Sequence, residues 1–318
     1  MKRFAFKFIY FLFPLVILMF IADYYISKKI KTSHENPGEI EVWNDIYNGE
    51  INANIAIYGS SRAWVHINPT ILEDSLNTKA YNFGMDGQNF WLQYLRNIEY
   101  LKYNKPPKVI ILSVDVFSLA KGKNLYQLNQ FLPYMLWNNN IKRFTSSYNG
   151  FSFEDYYLPL IRYYGSLRGS NSVIKSFSND SLYRNKGYRG MEKKWNNDFK
   201  KAKLNKKHIS INIDLNTISL FNQFLLECKT NKITVILTYT PEYIEGQNYV
   251  KNRKEIIKIY NNFSNKYNLL FLDYSDDNLC LQKKYFYNAL HLNKKGSEIF
   301  TSKLAHDLKS YTQKKSFN

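Results

Sequence analysis

Five short apolar runs, each stopped by a turn-forming residue, constrain this chain more than any other feature. They cover 54–58, 79–83, 108–114, 233–239 and 269–273, and each is closed by Gly, Asp, Ser or Pro. Runs of that length with little polar alternation are expected of strands buried on both faces. Between them lie helical patterns. Phe90, Trp91, Tyr94, Leu95, Ile98 and Leu101 make one apolar face, as do Ile218, Phe221, Leu225 and Cys228, and again Ile256, Ile259, Tyr260 and Phe263. A last helix carries Ile299, Phe300, Leu304 and Leu308 and opens just after Gly296-Ser297. Strand–helix alternation predicts a three-layer α/β/α fold around a mostly parallel five-stranded sheet. Right-handed crossovers then set every strand end along one edge, where open sheets hold their ligands.

Two stretches break the rhythm. Residues 117–210 hold aromatic clusters at 131–137 and 156–164, then a basic polar segment at 184–207. This reads as a helical insertion that leaves the sheet after Asp115 and caps the strand ends. The other is the amino terminus, where Lys2, Arg3 and Lys7 lead into the apolar run 8–22. With its flanks the run reaches the ~20 residues a helix needs to cross a bilayer. Tyr10, Tyr24 and Tyr25 would sit near the interfaces. No small-x-small cleavage site follows, which favours a retained anchor over a removed signal peptide. The division expected is an anchor at 1–27, a stalk at 28–50 around His34 and Pro37, an α/β domain at 51–312 and a tail at 313–318. Lys28, Lys29 and Lys31 offset the basic residues before the run, so charge alone leaves the orientation open.

The net charge is +18, which would suit an anionic partner. No zinc-ligand spacing, glycine-rich phosphate loop or RNA-reading aromatic signature accompanies it, and the lysines are scattered. A solvated lysine-rich surface is therefore expected, with no nucleic acid, metal or nucleotide cofactor. Two cysteines, Cys228 and Cys280, cannot define a disulfide framework and read as buried free thiols.

Chemistry is best placed at the end of the first strand. Ile55 to Tyr58 stop at Gly59, and Ser60, Ser61 and Arg62 follow. A serine delivered there is a nucleophile if a base reaches it. The best-placed base lies far along the chain, in Asn288-Ala-Leu-His291-Leu-Asn293. Gly59-Ser60-Ser61-Arg62 resembles the first block of the SGNH (GDSL-type) hydrolases, with Ser61 at the nucleophile position. Tyr81-Asn82-Phe83-Gly84-Met85-Asp86-Gly87-Gln88-Asn89 resembles the second, Ser113-Val-Asp115 falls where the third would, and Asn288 to Gly296 resembles the last. The resemblance covers roughly 54–115 and 233–310. It implies a flavodoxin-like layered fold and a Ser61–His291 site oriented by Asn288, with oxyanion donors from Ser61, Gly87 and Asn89. It looks most like the membrane-anchored SGNH-like branch associated with bacterial cell-surface polysaccharides. That implies an O-acetyltransferase or esterase acting on acylated glycan outside the cytoplasmic membrane, supplied by a multi-pass membrane acyltransferase if it transfers.

Two positions depart from the family pattern. Asn288 stands where aspartate is usual; a neutral amide can accept the imidazole Nδ1–H but cannot stabilise imidazolium, and if flipped it favours the wrong tautomer. Asp273, Asp276 and Asp277 are alternative carboxylates for that role. Asp115 stands where an asparagine donor is common, and an ionised carboxylate would repel an oxyanion. Asp115 is accordingly expected to be structural, to bind substrate hydroxyls or to be kept neutral by burial, and Arg62 to be a helix-start surface residue or else a substrate ligand. His66 is expected to pack locally, His34, His208 and His306 to be solvated, and Thr240-Pro241-Glu242 to shape a loop. A second reading keeps the fold without catalysis, as an anchored module that binds or presents envelope glycan.

Overall fold

The computed structural model describes residues 2–32, 38–164, 183–204 and 208–316. In chain order, helix α1 (Lys2–Lys31) and α2 (Glu39–Asn48) precede strand β1 (Ile55–Gly59), α3 (Ser61–His66), α4 (Pro69–Leu76), β2 (Ala80–Asn82), α5 (Phe90–Tyr103) and β3 (Val109–Val114). Short helices α6 (Asn139–Thr145), α7 (Phe153–Tyr157) and α8 (Asp198–Leu204) follow. The alternation then resumes with α9 (Leu215–Thr230), β4 (Thr234–Tyr239), α10 (Ile244–Gln247), α11 (Arg253–Tyr267) and β5 (Leu270–Asp273). A small hairpin, β6 (Phe286–Asn288) and β7 (His291–Leu292), leads into α12 (Lys294–Ser316). The chain divides into two compact units, Met1–Asn44 with Gly122–Tyr183, and Asp45–Lys121 with Arg184–Asn318.

The second unit holds the sheet. Its five strands run in the order β2-β1-β3-β4-β5, all parallel, as the apolar runs predict. Gly59 pairs with Ser113, Val114 with Tyr239, and Tyr239 with Asp273, so the carboxyl ends of four strands align along one edge. One face buries Ile55, Ile57, Ile111 and Ile236 against Phe300, Leu304 and Leu308 of α12. On the other, Tyr58 stacks on Phe83 at 5.0 Å, and Phe83 meets Tyr100 of α5 at 4.7 Å. Burial on both faces is why β1 to β4 lack polar alternation; β5, at the sheet edge, is only half-buried. Cys228 and Cys280 are buried free thiols.

Glycine makes the turn out of β1 possible. Gly59 has φ +152°, and a Cβ there would meet Ser113 O at 2.6 Å and the Ala63 methyl at 2.8 Å. The chain bends into α3 hard against β3, and no larger residue fits. Ser60 then caps α3, its side chain accepting from Arg62 N–H. Asn68 caps α4 by accepting from Thr70 N–H, with Pro69 at the first helical position.

Three expectations need revision. The segment 28–50 is not simply a stalk: α1 continues to Lys31, and α2 buries Ile40, Val42, Trp43 and Ile46 completely. Successive members of that set are three or fewer apart on a helix and make a packing face, masked in the sequence by the surrounding acids. His34 and Pro37 lie outside the described residues. The insertion is not one helical cap either. Its first part, with α6 and α7, belongs to the unit that contains α1, whereas 184–204 belongs to the sheet unit. The latter is largely an extended strap. Lys186 O accepts from Asn82 N–H (2.9 Å), Arg189 N–H donates to Trp64 O (3.3 Å), and Asn196 N–H donates to Tyr287 O (2.8 Å). Because the strap's hydrogen bonds go one at a time to β2, α3 and β6 and form no continuous ladder, no periodicity announces it. The third is the β6–β7 hairpin, absent from the sequence reading because its strands span only three and two residues.

In the other unit α1 is the one described helix long and apolar enough to cross a membrane, with a mean hydropathy of 2.4 over its apolar window. Its last turns are fastened. Arg162 grips Asp23 with two nitrogens (2.6 and 2.7 Å), Leu160 N–H donates to the same carboxylate (2.7 Å), and Ser27 meets the Tyr163 hydroxyl at 2.6 Å.

Candidate active site

The edge where four strands end carries the polar cluster. Ser61 opens α3 just after the Gly59 turn, half-buried, and His291 opens β7. Although 230 residues apart in sequence, Ser61 Oγ and His291 Nε2 lie 2.8 Å from one another. Behind the ring, Asn288 Oδ1 is 3.0 Å from His291 Nδ1.

The orientation of Asn288 follows from its neighbours. The backbone N–H groups of Leu290 and His291 converge on the same Asn288 atom, at 3.0 and 2.9 Å. Backbone amides only donate, so the atom facing them must be the carbonyl oxygen. A flipped amide would set its own N–H groups against two donors. His291 Nδ1 therefore carries the proton and donates to Asn288, and the Nε2 lone pair faces the serine. The tautomer is the one a general base requires. Asp273, Asp276 and Asp277 do not take this role. Asp273 accepts from Ser275 N–H (2.9 Å), Asp277 from Leu279 N–H (2.8 Å) and from Lys303, and Asp276 is exposed.

Burial pushes the His291 imidazolium down to about 3, with the charges of Arg62 and Lys193 adding to the effect. A carboxylate at position 288 would oppose that shift; the amide does not. Tyr287 stacks on the His291 ring at 5.3 Å with planes 7° apart, and the Lys193 ammonium lies 5.7 Å from the centre of the Tyr287 ring.

Arg62 and Asp115 do not line an open substrate site. Arg62 is 3% exposed. Its Nε donates to Thr240 Oγ1 (3.1 Å), its Nη2 to Thr240 O, and its Nη1 pairs with Glu242, while the guanidinium lies 4.6 Å from the centre of the Tyr239 ring. Burial works against this charge, and Glu242 more than restores it. Asp115 is 1% exposed, accepting from Ser60 Oγ (2.5 Å) and from Phe117 N–H (2.7 Å). The physical reason is the same for both: the turn after a buried parallel strand must be satisfied by polar groups already inside the protein. Arg62 and Asp115 supply it from either side of Ser61.

His66 has more to do than pack. Its Nε2 accepts from Leu292 N–H (3.0 Å), so Nδ1 carries the proton and donates to Thr240 Oγ1 (2.8 Å). Burial holds it well below the ordinary histidine range, helped by Arg62 and His291. One six-residue helix thus presents Ser61 while Arg62 fixes it to the loop after β4 and His66 fixes it to β7. The signal for this was the placement of Arg62 and His66 one and five residues after the serine, together with Thr240-Pro241-Glu242 at a strand end.

The amide of Ser61 lies in the first turn of α3, where no intrahelical acceptor exists. Gly87 has φ +65° in the exposed turn after β2. Two contacts hold that turn to β1: Met85 N–H donates to Gly59 O (2.9 Å) and Phe83 N–H to Ile57 O (2.7 Å). Asn89, the other expected oxyanion donor, gives one N–H of its amide to Ala120 O at 2.5 Å. No group of three or more His, Cys, Asp or Glu suited to a metal ion occurs among the described residues.

No family model and no curated protein sequence matches this chain. Among solved structures, it is similar to a member of the G-D-S-L lipolytic family from Desulfitobacterium hafniense, at 14% identity over 80% of this chain and 99% of the other, with a TM-score of 0.40. It is also similar to a GDSL-like lipase from Bacteroides thetaiotaomicron (11% identity, 86% and 100% covered, TM-score 0.38) and to an acetyl xylan esterase (13% identity, 81% and 98% covered, TM-score 0.40).

Proposed function

We propose that the chain is an SGNH-type, serine-dependent acyl-ester enzyme held at a membrane by α1 and acting on acylated carbohydrate. The observation that carries this reading is the Ser61–His291–Asn288 chain of contacts, 2.8 and 3.0 Å, with the tautomer fixed. Ser61 Oγ attacks the ester carbonyl as its proton passes to His291 Nε2. The new C–O bond leaves negative charge on the carbonyl oxygen, which the amides of Ser61 and Gly87 are proposed to receive. Collapse breaks the bond to the leaving alcohol, which takes the proton from His291. Water then releases the acyl group in an esterase; a sugar hydroxyl takes it in an O-acetyltransferase. Trp195 and Tyr243, in edge contact at 4.9 Å, and the Tyr287 ring beside His291 offer apolar faces of the kind that pack on sugar rings. A transferring enzyme would receive its acyl group from a multi-pass membrane partner.

A second reading is a non-catalytic module that presents envelope glycan. The neutral amide behind His291 favours it, because imidazolium forms there without a carboxylate. A fluorophosphonate probe separates the two. Purified full-length chain labels at Ser61, and Ser61→Ala abolishes both labelling and hydrolysis of an aryl acetate. A wild type that neither labels nor hydrolyses leaves the module.

A further inference from the structure

The unit that contains α1 displays an apolar surface for which the catalytic reading has no use. Trp137 is 57% exposed and sits at φ +57°, a left-handed conformation that a bulky residue rarely adopts. The strained turn is held by Trp137 N–H donating to Tyr156 O (2.8 Å). Its indole N–H donates to Tyr157 O (3.0 Å). The one polar atom of the side chain is thus turned inward and satisfied, leaving the apolar ring outward. An exposed tryptophan in water gains nothing from that arrangement.

The ring is not placed at random. It meets Phe20 of α1 at 5.6 Å between centres. Phe20 lies three residues before Asp23, about 4.5 Å further along the helix into the apolar run. Asp23 is the first charge after that run, and it is neutralised by Arg162 and covered to 5% exposure. Charges at the boundary of a bilayer are paired in this way. Phe153 and Leu158, 66% and 47% exposed, add to the surface on either side of Tyr156 and Tyr157. Lys142 donates to the Tyr157 hydroxyl (2.6 Å), with its ammonium 5.2 Å from the Phe153 ring centre, where it can meet a lipid phosphate.

We infer that the surface around Trp137, Phe153 and Leu158 is a foot that beds into the lipid headgroup region beside α1. The inference rests on the reading that α1 lies in a bilayer. The occupant is lipid because the surface continues from the apolar run of α1 at the level of Phe20, bears outward aromatic rings with their polar atoms satisfied, and carries a cation at its rim.

The test uses the full-length chain in phospholipid vesicles with and without nitroxide-bearing lipid. A fluorophore is attached at Leu158→Cys and, in a separate protein, at Ile17→Cys on the exposed face of α1. The native thiols, buried and pushed up to about 12 and 11, stay unlabelled. We expect deep nitroxides to quench the label at 17, and shallow nitroxides to quench that at 158 at least twofold. Quenching at 17 with none at 158 overturns the foot and leaves the anchor. A label at 158 shielded from aqueous iodide yet untouched by nitroxide lipid means a protein covers the surface, which also overturns it. No quenching at 17 removes the anchor reading, and the foot with it.

Discussion

At the scale of single residues, the unusual choice is Asn288. Its oxygen already accepts three hydrogen bonds, from Leu290 N–H, His291 N–H and the His291 ring. All three partners are donors, so a carboxylate would satisfy them equally without moving anything. Asn288→Asp should therefore keep the geometry and add the charge that stabilises imidazolium. In serine-protease triads the reverse change costs about 10⁴ in turnover. We expect Asn288→Asp to raise kcat for an aryl acetate at least about tenfold at neutral pH. The imidazole of His291 should titrate higher than its value of about 3. Since the base must be neutral, activity of the wild type should persist to lower pH than that of the variant. A pH–rate profile and a histidine NMR titration check both, and an unchanged rate would remove the proton-transfer role of His291. Ser61, His291 and Asn288 were all legible in the sequence, because block spacing survives without any knowledge of packing. The orientation of the amide was not, since it depends on two backbone N–H groups supplied by a tight turn.

At the scale of elements, α3 is the piece on which the site depends. It is six residues long, far too short to be stable alone, so its position comes from what it binds. Arg62 ties it to Thr240 and Glu242 after β4, and His66 ties it to Leu292 in β7. His66→Ala leaves the buried Leu292 N–H without an acceptor, a loss of about 1–3 kcal/mol. Because Leu292 follows His291, the same change loosens the base relative to Ser61. We expect kcat to fall at least about tenfold with KM little altered, since interactions realised only in the transition state report there. His66→Gln, whose carbonyl can accept from Leu292, should recover part of the rate. If His66→Ala leaves kcat intact while lowering stability, the histidine is a core residue only. The strands and long helices were legible because burial on two faces or on one stripe writes itself into the sequence. The strap at 184–197, the internal organisation of the insertion and the small hairpin were not. They are set by contacts between distant residues, such as Asn196 with Tyr287, and leave no local period.

At the scale of the whole molecule, the charge of +18 reads as a solvated surface, and ion pairs such as Lys203–Glu245 and Lys294–Glu192 are exposed and contribute little. The charges that matter thermodynamically are those the fold refuses to form. His66 and His291 are both held neutral, one well below the ordinary histidine range and the other at about 3. In the unfolded chain each takes a proton near pH 6.5. Below that pH the unfolded state binds protons that the folded state does not, so stability falls as pH falls. For His291 the loss continues until the folded group itself titrates at about 3. Between pH 7 and 5.5, where carboxylates remain ionised, two such groups remove about 2–3 kcal/mol together. Urea unfolding of the detergent-solubilised full chain, followed at both pH values, should show that loss. His66→Gln is less stable at either pH but has one fewer titrating group, so its loss between the two should be about half that of the wild type. An equal loss in both proteins would mean that His66 is already protonated when folded. In that case its Nε2 could not accept from Leu292, and the tie between α3 and β7 would have to be drawn another way.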